Sequence, residues 1–158
     1  MTELTPEHVQ DYPRPPALEH VPQVLRVVLG GVEVARTAAA WRVLETHHAP
    51  TYYLPRSDIR AEALRPTAGS SLCEWKGRAG YFDVLGGDRV APRAAWSYTK
   101  PTARFEPITG HVAFYPAAMD EVWVGAEQAT AQPGDFYGGW VTSNLSGIVK
   151  GGPGTLGW

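Results

Sequence analysis

A chain of 158 residues, 44% hydrophobic and 19% charged, is sized and composed for one small globular domain. A formal charge of −2 and a pI near 6.2 argue against a scaffold that holds nucleic acid through phosphate contacts. The 17 glycines and 14 prolines follow no collagen-like period and point to many turns and irregular segments.

Residues 1–23 read as a proline-rich arm. Pro6, Pro13, Pro15, Pro16 and Pro22 each fix φ, lack a donor and push the preceding residue out of the helical region. The arm either lies across the domain or stays mobile. It contains no apolar core of a secretory signal, and no run in the chain approaches the ~20 apolar residues that span a bilayer. The expectation is a cytoplasmic protein with no membrane partner.

A β core is expected over residues 24–130. Val24 to Thr37 carries two β-rich runs around Gly30-Gly31, a strong hairpin signal because both turn positions accept φ > 0. Ala38 to Leu44 reads as a strand, and so does Thr51 to Leu54, stopped by Pro55. Ser57 or Asp58 can cap one short helix over Ile59 to Leu64, which Pro66 prevents from continuing. Ser70 to Val84 reads as a strand broken near Lys76-Gly77, and Gly86-Gly87-Asp88 turns it into a returning strand over Arg89 to Tyr98. His111 to Tyr115 and Glu121 to Val124 are two further strands. This spacing predicts a mainly β fold of barrel-like or paired antiparallel sheets, with one short helix and extended termini.

The tail, residues 131–158, alternates glycine with Phe136, Tyr137, Trp140 and Trp158. Flexible linkers lack large aromatics, so the tail is expected to pack on its own core or to join two copies as a homodimer.

Cys73 stands alone, which excludes an intrachain disulfide, and no C-x-x-C pair supports a closed zinc site. It lies in the densest block of chemistry-bearing residues. Glu45 precedes Pro50-Thr51-Tyr52-Tyr53-Leu54-Pro55 and Asp58. Cys73 to Tyr81 reads C-E-W-K-G-R-A-G-Y, followed by Trp96-Ser97-Tyr98 with Pro101 and by Gly110 to Tyr115. This ordered set resembles the domain-of-unknown-function-427 family, also carried under a nucleotidyltransferase-like name, and the resemblance covers roughly residues 24 to 125. It implies a small β fold of the β-tent kind. Relatives of that shape often bind zinc through cysteine pairs, which this chain lacks, so no metal or cofactor is carried over. No residue pattern supplies a mechanism for the nucleotidyltransferase name.

Lys76 is one of three lysines against eleven arginines, as if a primary ammonium were required there. A desolvated lysine can act as base or nucleophile; the plain alternative is a surface charge paired with Glu74. A nearby cation would activate Cys73, although on one strand the odd spacing would turn the two side chains to opposite faces unless a bulge intervenes. Glu45 suits general acid–base work or a structural ion pair, and Asp58 suits ligand contact or a helix cap. Tyr52, Tyr53, Tyr81, Trp96 and Tyr98 are candidates for an aromatic ligand pocket, or for plain core. His47 and His48, adjacent on a strand, would face opposite ways and not share a metal, with or without His111. The terminal G-G-P-G-T is not a P-loop, and no nucleophile elbow occurs.

The resulting expectation is a small-molecule-binding protein. Glu45, Lys76 and Cys73 would be its catalytic groups, and Tyr52, Tyr53, Asp58, Trp96 and Tyr98 its ligand contacts. The alternatives are a non-catalytic binding or self-association module, or a nucleotide-handling protein.

Overall fold

In a computed structural model of the chain, which describes residues 4–73, 76–133, 137–147 and 149–151, fourteen strands carry the fold. In chain order they are β1 (Glu7–His8), β2 (Ala17–His20), β3 (Leu25–Leu29), β4 (Val32–Thr37), β5 (Trp41–Leu44), β6 (Thr51–Tyr53), β7 (Leu64–Cys73) and β8 (Gly77–Gly86). After these come β9 (Arg89–Tyr98), β10 (Val112–Phe114), β11 (Glu121–Val124), β12 (Glu127–Ala131), β13 (Trp140–Val141) and β14 (Leu145–Ser146). The architecture is mainly β, as the turn spacing implied. Its sheets are antiparallel apart from the small β1–β14 pair, and none closes into a barrel.

Two glycine turns set the frame. Gly30-Gly31 joins β3 to β4, and Gly86-Gly87 joins β8 to β9. The two tips touch: a Cβ on Gly30 would collide with the Gly86 carbonyl, and one on Gly86 with the Leu29 carbonyl. Glycine is needed there for close backbone approach as well as for the positive φ of 61° at Gly30. The contact locks a five-stranded sheet, ordered β13-β12-β11-β3-β4, against a four-stranded one, ordered β10-β9-β8-β7. Between them lies an aliphatic cluster that includes Leu25, Val27, Leu29, Val34, Val84, Val112 and Phe114, all fully buried. Each such side chain contributes about 1.5–3 kcal/mol through loss of apolar surface to water.

A three-stranded sheet, ordered β2-β5-β6, leans against the other side of the four-stranded sheet. Reciprocal bonds of 2.8 Å between Leu54 and Val112 join the two at their edges. Here the side-chain alternation of a strand decides everything that follows. Tyr52 and Leu54 enter the aliphatic cluster, whereas Tyr53 enters a second cluster with Trp96, Tyr98, Phe105 and Ile108. Val112 and Phe114 likewise face the first cluster, and Ala113 the second.

The arm lies across the domain. β2 pairs along β5, and Arg42 on β5 bonds Glu7 at 2.9 Å and also pairs with Glu19. Part of the tail is bound to the core: β13 pairs with β12, and Trp140 is fully buried, donating its indole N–H to the Phe114 carbonyl at 3.2 Å. Gly134, Phe136, Gly152, Gly154, Gly157 and Trp158 lie outside the described residues.

Two local expectations shift. The short helical stretch consists of two single 3₁₀ turns, Arg56–Asp58 and Ala61–Ala63, and Pro55, not Ser57 or Asp58, stands at the first N-cap. The strand expected from Ser70 starts at Leu64, because β7 is a sheet edge where Pro66 costs no ladder bond. Among the described residues, no helix is long and apolar enough to cross a membrane.

Candidate functional site

The β7–β8 hairpin, β9, β6 and the loop after β5 surround a cavity of about 320 Å³. Tyr53, Trp96, Tyr98, Cys73, Lys76 and Glu45 all line it. Cys73 ends β7, and Lys76 sits in the hairpin turn just before β8. The two therefore do not share one strand, and the opposite-face argument does not apply to them. Glu74 and Trp75 lie outside the described residues.

Tyr52 and Asp58 lie elsewhere. Tyr52 follows strand alternation into the aliphatic cluster, 2% exposed, with its ring 5.0 Å from that of Trp140. Alternation turns the two tyrosine side chains to opposite faces of β6, and Tyr53 takes the cavity side. Asp58 accepts a 2.7 Å hydrogen bond from the Thr37 hydroxyl, which pins the turn after β6 to β4. Neither residue lines the cavity; both belong to the framework around it.

The cavity walls are aromatic. The Tyr53 ring lies edge-on to Trp96 at 6.3 Å and tilted to Tyr98 at 6.2 Å, and Trp96 meets Tyr115 at 4.6 Å. Tyr81, another wall residue, shares a 2.7 Å hydrogen bond with Ser71. Burial drives the Tyr53 and Tyr98 hydroxyls above the ordinary phenol range, and burial together with Tyr81 pushes Tyr115 up to about 12. All three are neutral hydrogen-bonding groups at physiological pH, not bases. The Tyr53 hydroxyl is fully buried beside Trp96 and Tyr98.

The polar end is built by the loop after β5 and by the tail. Gln132, 2% exposed, accepts a bond from the Ala49 N–H at 3.0 Å through Oε1. Its amide nitrogen must then donate, to the Lys150 carbonyl at 2.9 Å and to His48 Nδ1 at 3.1 Å. That leaves the imidazole proton on Nε2, which lies 3.7 Å from the Glu45 carboxylate. Arg14, from the arm, approaches the same carboxylate at 3.5 Å. Burial, reinforced by Lys150, Arg14 and Lys76, pushes His48 down to about 4, so it is neutral at physiological pH.

Sequence reasoning overlooked Tyr115, Tyr137, Lys150 and the pocket role of His48. Lys150 was open to the argument applied to Lys76, since it too is one of three lysines. His48 was read on a strand, but it sits in a loop whose His47 has φ 67°. Among the described residues, no three His, Cys, Asp or Glu side chains gather as a metal would require. The arrangement can stack a planar group between rings, donate from neutral hydroxyls and present two ammonium groups beside one carboxylate.

Compared with known proteins, residues 17–125 match the family described as a domain of unknown function, DUF427. The match spans more than two thirds of the chain and takes in both hairpins and the aromatic wall. No protein of curated function matches the chain.

Proposed function

The chain belongs to the DUF427 family, and from that premise we propose that it is a small-molecule-binding protein whose site is the aromatic cavity. The observation that carries this reading is convergence. Glu45, Lys76, Cys73, Tyr53, Trp96 and Tyr98 come from five separate segments and line one concave space of about 320 Å³. That volume is at the lower end of pockets that take small ligands. The rings hold the apolar or planar part of the ligand. Glu45 and Lys76 supply the polar contacts, and where the bound molecule reacts they move a proton or stabilise an anion. The reading includes a cytoplasmic setting, supported by the free thiol of Cys73 at the cavity wall.

The test is a thermal-shift screen of the full chain against nucleotides, metals and metabolites. A ligand specific for the folded protein raises the apparent Tm by mass action. The expected hit loses its effect in Trp96→Ala and in Lys76→Ala, and it slows alkylation of Cys73. Glu45→Gln should keep the fold and abolish any turnover of that hit. A flat screen, or a hit indifferent to Trp96 and Lys76, overturns the proposal.

A further inference from the structure

The charges around the cavity are not balanced. Lys76 and Lys150 both line it, and among the described residues neither ammonium has a carboxylate within 4.0 Å. Each lies instead over a ring, Lys76 at 6.0 Å from Phe105 and Lys150 at 5.7 Å from Tyr137. Such contacts orient an ammonium without neutralising it. Among the described residues the one lining carboxylate, Glu45, is already approached by Arg14 and His48. Among the described lining residues the ammonium groups thus outnumber the carboxylates by two to one.

His48 is held neutral although Glu45 lies 3.7 Å away, by burial first and then by Lys150, Arg14 and Lys76. A pocket that carries two lysines between aromatic walls calls for a negative group on a flat body.

We infer that the ligand of this cavity is an aromatic anion, a planar ring bearing a carboxylate or phosphate, with Lys76 and Lys150 anchoring the charge and Trp96 and Tyr98 flanking the ring. This rests on the cavity being the binding site. A cationic ligand would need a free carboxylate, which the described wall residues do not offer, and a neutral one would leave both ammonium groups without a described counter-charge. Lys150 comes from outside the family-matched residues, so half of the anchor is supplied by the tail.

The experiment compares matched probes on the full chain by calorimetry at low salt: indole-3-acetate against indole-3-acetamide, and adenosine 5′-monophosphate against adenosine. The charged member of at least one pair should bind about tenfold more tightly, as charge-assisted hydrogen bonds imply. The pair that responds tells carboxylate from phosphate. Lys76→Met and Lys150→Met should each weaken that preference, the double variant should remove it, and Lys→Arg at either site should keep most of it. In the double variant the His48 pKa, followed by NMR without ligand, should rise. Equal or weaker binding of the charged members, silence from both pairs, or an unmoved His48 overturns the assignment. Should neutral members bind and lose affinity in Trp96→Ala, the binding site stands and only its charge preference falls.

Discussion

The two faces of the four-stranded sheet carry different kinds of interior. On one face, Leu25, Val27, Leu29, Val84, Val112 and Phe114 fill the space to the five-stranded sheet, and every one of them is fully buried. On the other, Trp96, Tyr98 and Ala79 border a cavity that is left partly empty. Strand alternation feeds both faces from the same segments. On the first face aliphatic side chains pack with rings such as Tyr52 and Trp140, whereas on the second the rings of Tyr53, Trp96, Tyr98 and Tyr115 stand around the cavity. One face of the sheet holds the fold together, and the other is free to hold something else.

The largest test of this contrast is on the closed face. Phe114→Ala should cost about 3–5 kcal/mol in denaturant unfolding, the usual price of a core aromatic truncated in a site that cannot collapse. A much smaller loss would show that the closed face is not the stabilising one.

Acid should act from the cavity side. His48 ordinarily titrates near 6.5 and is pushed down to about 4 by burial and neighbouring cations. The folded state therefore binds fewer protons than the unfolded chain between those values, and stability falls as pH falls through that window. The loss reaches at most about 3 kcal/mol for this one group. Glu7, held below the usual carboxylate range by its bonds from Arg42 and Tyr12 against the opposing effect of burial, adds a loss of the same sign at lower pH. Urea melts from pH 7 to 4 should show the decline, and His48→Gln should flatten its upper part. An unchanged slope in that variant would exclude His48 as the source.

Adding volume separates the faces directly. Ala95, fully buried, faces the aliphatic cluster, and Ala79, 2% exposed, lines the cavity. Ala95→Val should destabilise by about 1–3 kcal/mol through overpacking. Ala79→Val should cost under about 1 kcal/mol, because the new methyls enter open space, and should weaken ligand binding. Equal costs would mean that the cavity closes in solution.

The smallest effect is expected at Tyr53. Tyr53→Phe deletes one buried hydroxyl and keeps the ring, so stability should stay within about 1 kcal/mol of the parent. A clear loss of stability would show that hydrogen bonding with Tyr98 holds this side of the fold.

Much of the fold is legible because its signals are local. Gly30-Gly31 and Gly86-Gly87 mark hairpins by the dihedral angles they permit, and the flanking β-branched residues mark the strands. Pro66 misleads for the same reason. As a local signal it ends an element, and only the sheet order makes β7 an edge strand that tolerates it. In the site, Glu45, Lys76, Cys73, Trp96 and Tyr98 stand out through clustered motifs and residue scarcity. Tyr52 and Asp58 were chosen by the same proximity and lie elsewhere: strand alternation turns Tyr52 away, and the 3₁₀ turn after β6 carries Asp58 to Thr37. Tyr137 and Lys150 reach the cavity from the far end of the chain, a placement no spacing rule contains.

The sequence by itself determined a mainly β chain, the position of its hairpin turns, the lack of any disulfide and the block in which its chemistry is concentrated. Each of these follows from backbone freedom or side-chain type within a few residues. Tertiary structure alone decided which of two adjacent tyrosines meets the cavity, that the arm brings Arg14 to Glu45, and that the tail brings Lys150 to the site through Gln132. Those outcomes depend on contacts between segments up to a hundred residues apart. Their geometry is set by how sheets pack, and no stretch of local sequence encodes it.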